Sequence, residues 1–315
     1  MAVTADGDAR GRPREDRDAL PHASIGTVPI LWYNADDGAG WHAATILDEI
    51  ARLGYEGTQL GHDFPRGDEL RRALSGRRLR LAEVYAALPC TVDGPSADAL
   101  DVARTSLHEL HDARGDVLCV AVDGSADRDA AGGRADRPGT AAFTEAAWDT
   151  LAGVLHAISD EAAALGHPTV FHPHAGTYVE TPVEIERLLA TTDADRVGVC
   201  LDTGHHIVGG ADPIADLRRL GDRVRHVHLK DVDGRVLADA RDAELGFWDA
   251  LAAGVFCPLG AGVVDFAAVI AALDAAGYAG HATIEQDRVP GSGAPLDDLA
   301  ASLAALAEQG VEVSA

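Results

Sequence analysis

The run Arg223–Asp231, RVRHVHLKD, sets His226, His228 and Lys230 at every second place. In a strand, residues of one parity project to one face. Two imidazoles and an ammonium on one face suit a site that holds a metal and an oxygen-rich substrate. The same residue types close other apolar runs. Asp202 ends VGVCLD, Glu285 ends HATIE, and His172 and His174 end TVFHPH. Taken singly, each has an ordinary explanation. A lone strand histidine is usually a core or surface residue, and an aspartate before Thr-Gly is usually a turn. Ligand types at four successive strand ends have no structural need. Two carboxylates with one or two imidazoles suit Mn²⁺, Co²⁺ or Zn²⁺, with Mg²⁺ as a further alternative, and mixed N/O ligation argues against a Ca²⁺ cage.

Eight short apolar runs must position these residues: Ser24–Pro29, Gly57–Leu60, Leu79–Tyr85, Val117–Val122, Thr169–His172, Val197–Asp202, Val224–Lys230 and Ala282–Glu285. Amphipathic runs separate them. Trp41–Leu53 ends at Gly54, a C′ glycine. Thr181, Pro182 and Glu184 form a capping box before the next helix, and Asp212 precedes Pro213 in the same manner. Strand–helix alternation eight times over predicts parallel strands with crossovers, a (β/α)8 TIM barrel, whose chemistry lies at the C-terminal strand ends. A doubly wound open sheet is the alternative, but no phosphate-binding glycine fingerprint follows the first strand. Residues 1–22 are charged, Gly/Ala-rich and aperiodic, which predicts a disordered tail before one barrel domain over 23–315. Gly124–Thr140 reads as a mobile loop. Residues 232–263 form a long excursion after strand 7, expected to pack over the site as a lid or partner surface.

The chain has 315 residues and a net charge of −25, with four cysteines far apart. So acidic a protein disfavours nucleic acid and anionic membranes. Cysteine spacing implies reduced thiols rather than a disulfide framework. No apolar stretch is long enough to span a bilayer and the N-terminus has no signal core, so a cytoplasmic protein is expected.

LDTGHH (Leu201–His206), HVHLKD (His226–Asp231), HPHAGTYVET (His172–Thr181), PILWYNADD, FCPLGAG and the strand end at Glu285 resemble the xylose-isomerase-like TIM barrels. Within that superfamily they come nearest to the myo-inosose-2 dehydratases, over nearly the whole chain after the tail. The resemblance implies one divalent metal, Mn²⁺ or Co²⁺ first, held by Asp202, His228 and Glu285, with His172 where the superfamily has a glutamate. It also implies a catalytic role for His174, and substrate contact at His205. Gln59 stands where inosose dehydratases tend to have glutamate.

The chemistry expected is a lyase that dehydrates a β-hydroxy ketone of a cyclic polyol through an enolate, in the inositol catabolism the resemblance implies. His174 or Glu285 takes the α-proton, and Lys230 steadies developing negative charge. A ketose/aldose isomerase or 3-epimerase shares the enolate and is the alternative; a non-catalytic barrel subunit is a weaker one. Gln59, Glu83, Glu180, His205, His226 and Trp32 are the expected substrate contacts, with Glu83 facing the site only if it points inward. The partner is a small polyol or keto-sugar, and the apolar excursion offers a surface for a homo-oligomer.

Overall fold

The structure, a computed structural model, describes residues 19–35, 40–292, 294–311 and 313. Eight strands form where the apolar runs lie: β1 (Ser24–Thr27), β2 (Gly57–Gln59), β3 (Arg80–Leu88), β4 (Val117–Val122), β5 (Thr169–Phe171), β6 (Val197–Asp202), β7 (Val224–Leu229) and β8 (His281–Ile284). They close a barrel in the order β1-β8-β7-β6-β5-β4-β3-β2, every pair parallel. The open-sheet alternative is thereby excluded.

The helices lie outside the strands because their apolar stripes have no other face to cover. Ile46, Leu47 and Ile50 bury one side of Ala43–Arg52, and Leu107 and Leu110 one side of Ala99–Ala113. The capping box at Thr181 and Glu184 is formed, and Asp212 caps Pro213–Leu220. Inside the barrel the packing is different. Cys119, Val170 and Cys200 form a small apolar plug against Tyr85. Level with that plug, inward positions are already polar: His226 pairs in register with Cys200, and Glu83 with Val117.

The tail expected over 1–22 lies outside the described residues as far as 18. Its described end is packed: Ala19 and Leu20 are buried, and the Leu20 N–H donates to Asp274 Oδ1 at 2.7 Å. Gly124–Thr140, expected as a loop, contains the helix Ala126–Ala131 capped by Ser125. Its Arg128 is fully buried and meets Glu184 in two hydrogen bonds of 2.6 and 3.0 Å. Removing one partner of such a pair costs about 3–5 kcal/mol, so this segment is tied down.

The excursion after β7 holds the helices Gly234–Asp242 and Phe247–Ala252 and a two-residue pairing of Asp231–Val232 with Phe256–Cys257. It has its own apolar cluster, in which Phe247, Leu251 and Phe256 pack with Ala175 and Val208 of the barrel rim. Phe247 and Phe256 therefore face inward, not outward as an oligomer surface needs; Trp248 and Val263 are the exposed apolar residues. Asp231 fastens the return of the excursion: its carboxylate accepts from the N–H groups of Val232, Gly260, Gly262 and Val264 at 2.8–3.0 Å. A Cβ on Gly262 would sit 2.4 Å from Asp231 Oδ1, so only glycine fits there. No helix among the described residues is long and apolar enough to cross a membrane.

Candidate active site

Register brings the site together. Asp202 on β6 pairs with His228 on β7, and His228 pairs with Thr283 on β8, two residues short of Glu285. His172 continues the inward parity of Val170 just past β5. Four residues on four neighbouring strand ends thus converge: His172, Asp202, His228 and Glu285 each place a ligand atom within 4.8 Å of the others. These are the four ligands expected from the sequence.

The cluster has two levels. At the lower level, Glu83 points inward from β3 and is fully buried. His228 Nε2–H donates to Glu83 Oε1 at 2.8 Å, and His226 Nε2 lies 3.3 Å from Glu83 Oε2. Burial raises the pKa of Glu83, but His228 and His226 outweigh it and hold the carboxyl well below its usual range. With Nε2 engaged, His228 turns Nδ1 upward.

At the upper level, His228 Nδ1 lies 2.7 Å from Glu285 Oε2 and 3.8 Å from Asp202 Oδ2, and His172 Nε2 lies 3.7 Å from Asp202 Oδ2. None of these contacts has hydrogen-bond geometry, so both ring nitrogens of His172, Nδ1 of His228, Oδ2 of Asp202 and Oε2 of Glu285 are buried without a hydrogen-bond partner. Each such group costs about 1–3 kcal/mol. Lys230 Nζ compensates in part as an ion pair, 3.2 Å from Asp202 and 3.3 Å from Glu285. One ammonium and the imidazolium of His228, whose pKa burial lowers but the neighbouring acids raise well above its ordinary value, do not balance the four carboxylates Asp202, Glu285, Asp287 and Glu83. Buried acceptors facing one another, with an excess of negative charge and two imidazoles, fit a divalent cation.

Asp202 serves two ends. Its Oδ1 accepts the His205 N–H at 2.7 Å, capping the helix Thr203–Gly209, while Oδ2 faces the cluster. The turn reading of LDTG is met by the cap, and Oδ2 is left free to face the cluster. The glycine of that motif gives room: a Cβ on Gly204 would sit 2.6 Å from Lys230 Cγ.

Beside the cluster lies a second group. Lys230 Nζ donates to Asp287 Oδ2 at 2.7 Å and lies 2.8 Å from His205 Nε2, under the ring of Phe256. Burial lowers the pKa of Lys230, but Asp202, Asp287 and Glu285 raise it above its ordinary value, so it stays charged. His205 stacks on His174 with ring centres 3.7 Å apart. Burial, then His172 and Lys230, bring His174 down to about 4, so its ring is neutral at pH 7. Nδ1 lies 2.7 Å from the Ala175 carbonyl oxygen, which assigns the proton to Nδ1 and leaves Nε2 as an acceptor. His174 opens onto a cleft of 490 Å³ between Tyr85, Asp123 and Ser125 on one side and Phe247 and Trp248 on the other.

Several expected substrate contacts sit elsewhere. Glu83 and His226 lie beneath the cluster, with His226 Nε2 3.3 Å from Glu83 Oε2. Trp32 belongs to the main apolar core. Glu180 is buried, and its two oxygens accept the N–H groups of Gly133 and Gly176 at 2.8 and 2.6 Å, clamping two rim loops; burial pushes it up to about 7. Gln59, half-buried at the end of β2, pairs in register with Glu83. Asp287 was not foreseen, although its spacing of two from Glu285 puts it on the same parity. A cavity of 350 Å³ at the opposite end of the barrel, by Leu217, Leu273 and Tyr278, contains none of these residues.

Comparison with known proteins agrees with this geometry. The chain is 35% identical over 282 residues to an inosose dehydratase of Geobacillus thermodenitrificans, covering 87% of this chain and 92% of that one. It is 31% identical over 283 residues to an inosose dehydratase of Lacticaseibacillus casei, covering 87% and 92%. Among solved structures it is similar to a D-allulose 3-epimerase from Methylomonas sp. in complex with D-allulose (TM-score 0.66, 20% identity, 92% of this chain and 98% of that one). A probable 3-DHS dehydratase from Bacillus anthracis, involved in petrobactin synthesis, is similar too (TM-score 0.66, 14% identity, 90% and 98%). These two share the fold. The two curated relatives are dehydratases matched over most of their length, which marks this chain as an enzyme. The model of the xylose isomerase-like TIM barrel matches residues 47–309, and with the closed barrel and the four converging strand ends this establishes that the chain belongs to that family.

Proposed function

We propose that the protein is a metal-dependent lyase that removes water from a β-hydroxy ketone on a cyclic polyol, an inosose. The observation that carries this reading is the upper cluster, where unpartnered ligand atoms lie beside a charged lysine and a neutral histidine that opens on a cleft. The relatives named inosose dehydratase support the substrate class.

His172, Asp202, His228 and Glu285 would hold a divalent metal, Mn²⁺ or Co²⁺, which when bound supplies a Lewis acid for the carbonyl oxygen. Glu83 fixes the ring of His228 and its proton on Nε2. His174 Nε2 takes the proton from the carbon next to the carbonyl, and the Nδ1–H bond to Ala175 holds the ring for that step. Lys230, kept charged by three carboxylates, stabilises the enolate oxygen. The imidazolium of His174 then returns the proton to the β-hydroxyl. That group leaves as water while the C=C bond forms, and the histidine ends neutral. An acid of low pKa is a strong donor, so the burial that weakens His174 as a base favours this second half.

The test is turnover of scyllo-inosose by purified protein with Mn²⁺ or Co²⁺, followed by absorbance of the conjugated product. Product formation that stops with EDTA is expected. Tightly held metal without product would reject the dehydration, and ketose epimerisation and isomerisation become the next assays.

A further inference from the structure

We propose that Trp248 is the wall that receives the substrate's ring face, and so a specificity-determining residue that favours a cyclic polyol over an open-chain keto-sugar; this rests on the dehydratase reading above. Among the described residues Trp248 is the one exposed large aromatic, with 60% of its surface open. Its indole has no apolar core to fill, yet its backbone is held firmly. The Trp248 N–H donates to Asp129 Oδ1 at 3.0 Å, joining the excursion helix to the segment on the facing wall of the cleft. The two walls meet closely: a Cβ on Gly132 would lie 2.7 Å from Phe247 Cβ, and one on Gly246 would lie 3.2 Å from the Asp129 carbonyl oxygen.

From Trp248 an aromatic path leads to the chemistry. Phe247 lies 5.5 Å from Trp248 and 5.5 Å from His174 between ring centres, and His174 lies 5.5 Å from His172. Asp123, exposed at the end of β4, faces the same cleft. The lining therefore carries the rings of Tyr85, Phe247 and Trp248 and the carboxylates of Asp123 and Asp129. A six-membered polyol with equatorial hydroxyls has the matching surface. Its two faces present only C–H groups, and its edge presents only oxygen. An open-chain sugar has no continuous apolar face to lay on an indole.

The test compares wild type, Trp248→Ala and Trp248→Phe. With scyllo-inosose as substrate, Trp248→Ala is expected to raise KM roughly tenfold with kcat within about twofold, the pattern of lost uniform binding. Trp248→Phe keeps a ring and is expected to hold KM within about threefold of wild type. A second readout needs no turnover. scyllo-Inositol has no carbonyl to react, and it should shift tryptophan emission saturably in wild type and not in Trp248→Phe. Unchanged KM in Trp248→Ala, or an emission shift that persists in Trp248→Phe, overturns the proposal. No turnover of scyllo-inosose by wild type, together with the Trp248-dependent shift, rejects the dehydratase reading and keeps the ring wall. Neither turnover nor shift overturns both.

Discussion

The two levels of the barrel mouth use the same side chains to opposite ends. Below, Glu83 and two imidazoles close on one another: Oε1 accepts from His228, Oε2 lies 3.3 Å from His226 Nε2 without a hydrogen bond, and the carboxylate stays charged in a place no solvent reaches. Above, Asp202, Glu285, His172 and the other nitrogen of His228 face each other and leave their ligand atoms unpartnered. His228 belongs to both levels, one nitrogen to each. A buried polar group that is satisfied locally is a structural device. One that is buried, unsatisfied and convergent is a site that waits for a ligand. The lower level thus orients the upper one, the usual arrangement behind a metal-bound histidine.

The sharpest way to break this comparison is Asp202→Asn. The amide oxygen still accepts the His205 N–H, so the helix cap survives. The ligand oxygen is replaced by an amide nitrogen. Metal uptake and turnover should fall by more than roughly a hundredfold, beyond the loss typical for an outer partner, with the far-UV spectrum of metal-free protein unchanged, because Lys230 keeps Glu285 and Asp287 as partners. A variant that binds Mn²⁺ as wild type does would remove Asp202 from the site.

Glu83→Gln should behave differently, because it breaks the level that positions. One of its two histidine contacts is lost in a fully buried place. The expected cost is about 1–3 kcal/mol in denaturant unfolding, together with a roughly 10- to 100-fold loss of metal affinity. Asp202→Asn separates binding from fold, whereas Glu83→Gln moves metal affinity and stability together. If Glu83→Gln leaves metal affinity intact, the lower level is mere core.

The difference between the levels also marks what the sequence discloses. Parity along a strand is local, so Asp202, His228 and Glu285 were legible as inward groups at strand ends. All eight strands follow from the same periodicity. Depth is not local. His226 and His228 share a parity, and nothing in RVRHVHLKD says that one lies beneath Glu83 and the other above it. The Glu83–His228 bond spans 145 residues and the width of the barrel. Glu180 is an expected substrate contact beside His205, although it also sits in the polar approach to a helix. Its partners are N–H groups of Gly133 and Gly176, and no residue type announces a backbone donor. Gly124–Thr140 read as a free loop from composition, since the glutamate that fixes Arg128 lies 56 residues away.

The smallest expected effect concerns protons, and again it separates the levels. Glu83 is held well below its usual range and stays charged through the neutral region. His174, at the rim, is pushed the other way, to about 4, by burial and by its neighbours His172 and Lys230. In the unfolded chain a histidine takes its proton near pH 6.5. Its neutral form is therefore favoured in the fold, and the contribution is full above about pH 6.5. As pH falls through 6.5 toward 4 the unfolded chain binds the proton first and stability is lost, by about 1–2 kcal/mol once solvent at the half-open ring is allowed for. His174→Gln should flatten the decline of Tm over that window without touching the decline due to other groups. In the same window wild-type kcat/KM should hold its plateau, with the acid limb falling nearer pH 4–5 than 6.5. An acid limb at 6.5 would mean that the proton acceptor is a solvent-exposed group of ordinary basicity, and that His174 only lines the cleft.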